Sequence, residues 1–448
     1  MTFPGSAAGA SNFRAGEARP QAGQGQPSPS AGQGQPGPSA DQGQASPSPA
    51  SHGPVPVPPQ SSAFDIAVIG GGIIGLAVAF QLARDGARVA VLERERPGAG
   101  ASTAAAGMLA PGHEAGTDPV LYELGIRSCR LWPEFARDIE AAAGTRTGYV
   151  ARGIAVVATG EGEAAGLRER AEREGGQRRL RWLPPQALPP YLTDFQGVRG
   201  ALVFEEGGHV DPVATVGALA AAFAAVGSLW TGAEVTDIRD EPAGSGRRLV
   251  AVRTPWGEVR AGTFVLAGGV ANAALSARLG VPLPVVPVKG QVLAVQPPPA
   301  LRPFLDGQVP VFGAGVYLVP RLDGRLLIGA TEEPEAGYDR SVTLGAITRL
   351  AAAAQRLVPA LERARWLEAR TGLRPGSPDR RPLLGPLPGY HNVIAAAGHY
   401  RNGILLAPLT ARIVAGLCAG REPEMDLAPL DPGRFASTPG PGAGRSSA

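Results

Sequence analysis

One stretch of 29 residues, 65–93, constrains the fold of this chain more than any other. It reads DIAVIGGGIIGLAVAFQLARDGARVAVLE, which is an apolar strand, a glycine-rich turn, an apolar helix and a second apolar strand ending in Glu93. Short apolar runs of this kind are typical of buried parallel strands. The pattern therefore predicts a β-α-β unit of a Rossmann-type α/β fold.

The turn has the G-x-G-x-x-G spacing of dinucleotide-binding units, with Gly70, Gly72 and Gly75. The first glycine permits the tight turn, the second lets the backbone approach a pyrophosphate, and the third lets the helix pack on the strand. The helix N-terminus offers free N–H groups to the phosphates. Glu93, 18 residues past Gly75, can accept hydrogen bonds from a ribose. These features predict a dinucleotide site, but they do not decide between NAD and FAD.

Composition excludes several other classes of protein. The net charge is +3, and the basic residues are scattered arginines with Lys289 as the only lysine, so we expect no nucleic-acid partner. The two cysteines, Cys129 and Cys418, are too few for a disulfide framework or a cysteine metal site, and they fit a reducing, cytoplasmic setting. We expect no membrane association, because no apolar run reaches the length of a membrane span.

Low-complexity sequence occurs at both ends of the chain. Residues 22–48 form three successive nine-residue copies, beginning with AGQGQPSPS. Such segments have too few large apolar side chains to offset the entropy of ordering the backbone. We therefore expect residues 1–62 to be a disordered tail and residues 421–448 to be largely disordered.

The later sequence indicates a second sheet and a second inward-pointing helix. Apolar runs at 285–295, 316–320 and 325–330 alternate as antiparallel strands do. Near the end, the glycine-bounded turn 398–403 opens an apolar helix over 404–417. This arrangement repeats the geometry of the first turn and directs a second positive helix end inward.

Six motifs in order give the chain a specific resemblance. DIAVIGGGIIGLAVAFQLA, ASTAAAGMLAP, VKGQ, YLVPR with the following IGAT, GLRPGSPD and GHYRNGILLAP resemble segments of the glycine oxidases. These are flavoproteins of the D-amino acid oxidase superfamily that serve thiamine biosynthesis. The resemblance implies an FAD-binding domain of residues 63–112, 205–275 and 369–420, and an α+β substrate domain with a mainly antiparallel sheet, of residues 113–204 and 276–368.

The resemblance also implies that FAD is the cofactor and that it is bound without a covalent link. Beside the glycines and Glu93, the implied cofactor contacts are Ile73, Ile74, Arg94, Ala101, Ser102, Ala106, Gly107, Met108, Val235, His399, Tyr400, Arg401, Asn402, Gly403, Ile404 and Leu405. The helix that starts near Ile404 is expected to stabilise negative charge on reduced flavin.

For the substrate, the resemblance implies that Arg374 and Tyr317 bind the carboxylate of a small amino acid, with Arg401 also on the substrate side. A guanidinium suits this role because its fork meets both carboxylate oxygens in one plane. The implied reaction transfers a hydride from the α-carbon to flavin N5, and dioxygen then reoxidises the flavin and gives hydrogen peroxide. No acid or base is required if the amine binds neutral, so we assign no proton transfer to Lys289 or His399.

Some choices stay open at this stage. Some relatives have a histidine two places before the tyrosine where this chain has Gly315, so glycine, sarcosine and small D-amino acids all remain candidate substrates. The alternatives are a D-amino acid dehydrogenase, a sarcosine oxidase-like flavoenzyme, and a non-catalytic partner that scaffolds thiazole synthesis. Thiazole synthase is a candidate partner, and we expect a homo-oligomer.

Overall fold

The predicted β-α-β unit is present in the computed structural model, which describes residues 63–435. Strand β1 (Ala63–Ile69) leads through the glycine turn into helix α1 (Ile73–Arg84), and strand β2 (Val89–Leu92) returns parallel to β1. The predicted tail 1–62 and the last residues, 436–448, lie outside the described part of the chain.

The remaining strands and helices follow in chain order. The strands are β3 (Met108–Leu109), β4 (Ile154–Ala158), β5 (Leu180–Leu183), β6 (Gly200–Phe204), β7 (Gly208–His209), β8 (Ser228–Trp230), β9 (Asp237–Ala243), β10 (Gly246–Thr254), β11 (Gly257–Leu266), β12 (Val286–Gln296), β13 (Val311–Gly313), β14 (Val316–Pro320), β15 (Leu326–Gly329), β16 (Arg365–Gly376), β17 (Leu383–Pro386) and β18 (Val393–Ala397). The helices are α2 (Pro111–Glu114), α3 (Pro119–Ala143), α4 (Glu161–Arg178), α5 (Pro212–Ala224), α6 (Asn272–Arg278), α7 (Arg302–Gly307), α8 (Leu344–Leu357) and α9 (Gly403–Cys418).

The first sheet has the order β17-β18-β11-β1-β2-β8, and β10 and β9 extend it from β11. Its central strands are parallel, since β1 pairs in parallel with β2 and β11, and β11 pairs in parallel with β18. Strand β2 and the second half of β1, residues 66–69, are apolar and buried, because helices α1, α5 and α9 pack together against this sheet. This sheet confirms the Rossmann-type fold.

The second sheet has the order β16-β12-β15-β14-β13-β4-β6-β5. All of its pairs are antiparallel except β13 with β4. The mainly antiparallel sheet inferred from the later sequence is therefore confirmed. Both sheets lie within one compact unit of the chain. Among the described residues, no helix combines the length and the apolar character that a membrane crossing requires.

Sheet membership differs from the predicted domain boundaries at two places. Strand β16 belongs to the second sheet, although residues 369–420 were assigned to the cofactor domain. Helix α3 packs in the core of the first sheet, although residues 113–204 were assigned to the substrate domain, because Trp132 and Ser128 both donate hydrogen bonds to the Leu405 carbonyl of α9. The two-domain division itself stays a prediction.

One local expectation also differs from the structure. Residues 421–435, expected to belong to a largely disordered tail, pack on the first sheet. Leu430 is fully buried there, and Arg434 forms an ion pair with Asp379 at 2.9 Å.

Candidate active site

One cavity of about 530 Å³ is lined by residues of both sheets. Most of the site residues expected from the sequence line it, namely Gly70, Gly72, Ile73, Ile74, Glu93, Arg94, Ala101, Ser102, Ala106, Gly107, Met108, Val235, Tyr317, Arg374, His399, Tyr400, Arg401, Gly403 and Ile404. Residues separated by more than 300 positions therefore meet in one site. This volume is within the ordinary range for ligand pockets.

Three expected residues do not line the cavity, namely Gly75, Asn402 and Leu405. Gly75 is a packing residue, because a Cβ there would lie 1.9 Å from the Gly70 carbonyl oxygen. The Leu405 carbonyl accepts hydrogen bonds from Ser128 Oγ at 2.6 Å and Trp132 Nε1 at 3.0 Å. Any direct contact of these residues with a cofactor stays a prediction.

The glycine turn places the start of α1 at the cavity. Gly70 adopts a φ of +111°, and a Cβ there would lie 2.6 Å from the Ala267 carbonyl oxygen, so only glycine fits. The Ile73 N–H donates to Ser102 Oγ at 3.0 Å, which ties the helix start to the loop of small residues. This is the cradle that a dinucleotide phosphate requires.

Glu93 lies at the end of β2, where the sequence predicted a ribose-binding carboxylate. Its Oε2 accepts a hydrogen bond from the Gly71 N–H at 2.7 Å, and its Oε1 accepts one from the Glu95 N–H at 2.7 Å. Both carboxylate oxygens are thus oriented by backbone donors, and each has a second lone pair for a ligand hydroxyl. Its ribose role stays a prediction that this geometry supports.

The loop of small residues, 97–108, is held by three arginines that the sequence did not reveal as site residues, and one of them, Arg340, itself lines the cavity. Arg340 donates to the Ala99 carbonyl at 2.6 Å, Arg370 to the Thr103 carbonyl at 3.4 Å, and Arg321 to the Ala106 carbonyl at 2.5 Å. Arg321 is 3% exposed, and burial lowers its pKa to about 10. In a chain with so many arginines, no local signal distinguishes these three.

The segment before α9 forms the other end of the cofactor cavity. Gly403 and Ile404, the first residues of α9, line it, so the positive end of this helix lies at the ligand space. His399 is 2% exposed, and its Nε2 lies 3.0 Å from Thr410 Oγ1. Burial lowers the pKa of His399 to about 4, so the ring is neutral at physiological pH.

The neutral state of His399 predicts an acid-sensitive stability. The folded pKa of about 4 lies below the unfolded value near 6.5, so the stabilisation is complete above pH 6.5 and is lost as the pH falls toward 4. We expect the free energy of unfolding to be smaller at pH 5 than at pH 7 by on the order of 2 kcal/mol, because His399 takes up a proton in the unfolded state and not in the folded state. Denaturant titrations of wild type and His399→Gln at both pH values measure this.

The matched control for this experiment is His391→Gln, since His391 is exposed and its Nε2 lies 2.8 Å from the Ala243 carbonyl oxygen. His391→Gln should keep the wild-type pH dependence, whereas His399→Gln should flatten it. Equal pH dependence in all three proteins would contradict the role assigned to His399.

Arg374 and Tyr317, the expected substrate residues, both lie over glycines of neighbouring strands. A Cβ at Gly290 of β12 would lie 2.3–2.4 Å from the Arg374 guanidinium, and a Cβ at Gly329 of β15 would lie 2.5 Å from the Tyr317 ring and hydroxyl. Arg374 Nη1 donates to the Thr331 carbonyl at 3.0 Å, which fixes one edge of its fork. Burial raises the pKa of Tyr317, so its hydroxyl stays protonated and can donate.

Gly290→Ala should displace Arg374 without unfolding the protein. The atoms in the way are the far end of a flexible side chain, so the guanidinium moves and the backbone does not. We expect KM for the amino acid substrate to rise by about tenfold or more, with FAD affinity unchanged. Steady-state kinetics and FAD titration measure both. Gly416→Ala in α9, where an added Cβ meets nothing within 4 Å, is the control.

The cofactor cavity is not lined by Cys129, Cys418 or Lys289. Burial raises the pKa of the Cys129 and Cys418 thiols to about 11, so both stay protonated. Lys289 is 1% exposed, and its Nζ lies 2.5 Å from Asp339 Oδ2. These placements support the predictions of non-covalent cofactor binding and of no lysine base.

Comparisons with known proteins agree with this geometry. The family model described as FAD dependent oxidoreductase matches residues 65–417. The glycine oxidase of Geobacillus kaustophilus is 39% identical over 373 residues, which cover 82% of this chain and 96% of that protein. The bifunctional protein ThiO/ThiG of Trichormus variabilis is 37% identical over 374 residues, which cover 83% of this chain and 55% of that protein.

A solved structure gives the same result for the fold. The crystal structure of the glycine oxidase from Geobacillus kaustophilus matches with a TM-score of 0.76 and 38% sequence identity, covering 83% of this chain and 99% of that one. The glycine cradle, the oriented Glu93 and the second helix start at Gly403 all fit FAD. This chain belongs to the FAD dependent oxidoreductase family, and FAD is its cofactor.

Proposed function

We propose that this protein oxidises glycine to the imine with release of hydrogen peroxide, and that sarcosine and small D-amino acids are further candidate substrates. The observation that carries the proposal is the pair Arg374 and Tyr317, which line the FAD cavity next to the start of α9. The glycine oxidase relative matches over nearly its full length, which supports the same reaction here. FAD, held by the Gly70 turn, Glu93 and the start of α9, would supply the two-electron oxidation of the amine, with dioxygen as the final acceptor.

The side chains of this protein act by positioning the substrate. The free Nη2 edge of Arg374, with the Tyr317 hydroxyl, provides donors for the substrate carboxylate, and fixing that group sets the direction of the α-carbon. The two basic side chains that the sequence offered as proton acceptors have other partners: His399 lies against Thr410, and Lys289 forms an ion pair with Asp339. We therefore infer that the amine binds in its neutral form.

We also propose that the product serves thiazole synthesis in thiamine formation. The relative from Trichormus variabilis is a bifunctional ThiO/ThiG protein, and the match to this chain covers 55% of it. Such a fusion supports the prediction that this protein works with a thiazole synthase. The homo-oligomeric state and the cytoplasmic location stay predictions.

Anaerobic reduction tests the proposed function. The purified protein should be yellow, and glycine added without oxygen should bleach the visible flavin absorbance, which returns when air is admitted. Bleaching by sarcosine or D-alanine but not by glycine would assign a different amine as the substrate. A yellow protein that none of these amines bleaches would contradict the proposal.

A further inference from the structure

Arg401 lies between two carboxylates, an arrangement that the oxidation of glycine does not require. Its Nε and Nη2 donate to the two oxygens of Glu114 at 2.8 and 3.1 Å, and its Nη1 donates to Glu332 Oε2 at 3.1 Å. The Tyr400 hydroxyl donates to the other Glu332 oxygen at 2.5 Å. We call these four residues the Arg401 cluster. The two carboxylates exceed the single guanidinium by one, so the cluster carries a net charge of −1.

The Arg401 cluster lies where two cavities meet. A second cavity of about 590 Å³ shares only Tyr317 and Arg401 with the FAD cavity. Glu114 lines the FAD cavity and Glu332 lines the second one, so each cavity contains one carboxylate partner of Arg401. The second cavity is otherwise lined mainly by apolar and small residues, among them Val156, Leu167, Phe312, Gly315 and Val316. Two further titratable residues line it, Glu163, which adds another negative charge, and His113, whose pKa is lowered by burial so that it adds no positive charge at neutral pH.

The position of the second cavity determines which substrates reach it. Arg374 and Tyr317 hold the substrate carboxylate, so a further substituent that passes Tyr317 enters the second cavity beside Glu332. Gly315 leaves this space open, since a Cβ there would meet nothing within 4 Å. A neutral substituent would contact the apolar residues of the second cavity. A second carboxylate would contact the Arg401 cluster, which carries a net charge of −1 and whose guanidinium is already paired with both glutamates.

We propose that Glu114 and Glu332 make this enzyme specific for amines with a single carboxylate, and that they exclude N-carboxymethyl amines and other dicarboxylates. The proposal rests on the proposed function, of which it names the substrate class. The physical reason is repulsion between like charges at short range in a site of reduced dielectric. Against the effect of burial, three arginines lower the pKa of Glu332, namely Arg401, Arg374 and Arg380. Of these, Arg401 is already paired, Arg374 is assigned to the first carboxylate, and Arg380 lies over the Tyr400 ring and lines neither cavity. Arg401 would bind the second carboxylate if its own partners were neutral.

Neutral variants of the two acids test the proposal. In Glu332→Gln the amide oxygen still accepts from Tyr400, and the net charge of the cluster becomes zero. In Glu114→Gln/Glu332→Gln it becomes +1. The probes are glycine, sarcosine, iminodiacetate and the monoamide of iminodiacetate, which has the same size with one charge fewer. We expect kcat/KM for iminodiacetate relative to its monoamide to rise by about tenfold in the single variant and further in the double variant.

Two controls separate charge from structure. The ratio of kcat/KM for sarcosine to kcat/KM for glycine should stay within about twofold of the wild-type ratio, because neither substrate has a second carboxylate. Glu335→Gln makes the same charge change in the same segment, but Glu335 lines neither cavity, so this variant should keep all wild-type ratios. If Glu332→Gln fails to fold, Glu114→Gln alone gives the same single-charge test.

A binding measurement distinguishes failure of the proposal from failure of the proposed function. The dissociation constant of iminodiacetate, from calorimetry with the FAD-loaded protein, should fall in the order wild type, single variant, double variant. A wild type that oxidises none of the amines overturns the proposed function, while the dissociation constants still test the selection against dicarboxylates. The proposal is overturned if variants that retain flavin show the wild-type ratio of kcat/KM for iminodiacetate to kcat/KM for its monoamide. It is also overturned if their dissociation constants for iminodiacetate are unchanged.

Discussion

Replacing Arg374 with methionine is expected to lower kcat/KM for glycine by about 100-fold or more, while the protein keeps its flavin. Arg374 lies on β16 of the second sheet, and its guanidinium packs over Gly290. Two charge-assisted hydrogen bonds to the substrate carboxylate would be lost, and methionine fills much of the same space. The loss should appear mainly in KM if the bonds form in the ground state. Steady-state rates of hydrogen peroxide formation measure it.

The control for this substitution is Arg365→Met, on the exposed part of the same strand. It removes the same charge and should leave glycine oxidation unchanged. Methylamine, which lacks the carboxylate, is the control substrate, because its turnover should be equally slow with and without Arg374. The kcat/KM of Arg374→Lys for glycine should lie between those of wild type and Arg374→Met, since lysine keeps the charge and loses the planar fork. Equal kinetics of wild type and Arg374→Met would exclude the carboxylate role.

The sequence predicted the nucleotide end of the site well because its determinants are local. Gly70, Gly72, Gly75 and Glu93 belong to one continuous unit, in which each residue type follows from backbone geometry that the unit itself creates. The second helix start at Gly403 was predictable for the same reason. The resemblance identified Arg374 and Tyr317, and the structure shows that both line the cavity next to this helix start.

The supporting residues could not be predicted, because their partners are distant in the chain. Arg401 and Glu114 are separated by 287 positions, and Arg321 and Ala106 by 215. Gly290 and Gly329 matter only because strand register places them beneath Arg374 and Tyr317. Strand register and ion-pair choice are decided by tertiary packing, and a composition with many arginines offers several candidates for each carboxylate.

The domain boundaries show a similar limit. The resemblance assigned residues 113–204, and with them helix α3, to the substrate domain. It packs instead on helices α9 and α5, which cover the first sheet, and Trp132, which is completely buried, donates to the Leu405 carbonyl of α9. A predicted amphipathic helix shows which face is buried, but it does not show which sheet covers that face.

Gly75→Ala is expected to prevent FAD binding, with an increase in the FAD dissociation constant of about 100-fold or more. A Cβ on Gly75 would lie 1.9 Å from the carbonyl oxygen of Gly70 and 3.3 Å from the Ala267 side chain. The first atom belongs to the backbone of the phosphate turn, so no side-chain rotation relieves the overlap. Helix α1 must move away from β1, which shifts its N–H groups and misplaces the Ile73 bond to Ser102.

The purified Gly75→Ala protein should therefore be colourless and should unfold at a lower temperature than the wild type, since overpacking a buried contact costs about 1–3 kcal/mol. FAD fluorescence titration and thermal unfolding with and without added FAD measure the two effects. Gly217→Ala in α5 is the matched control, because its added Cβ meets nothing within 4 Å. It should bind FAD normally and be slightly more stable, as alanine favours a helix over glycine by about 0.5–1 kcal/mol. Normal FAD affinity in Gly75→Ala would contradict the placement of the phosphates at this turn.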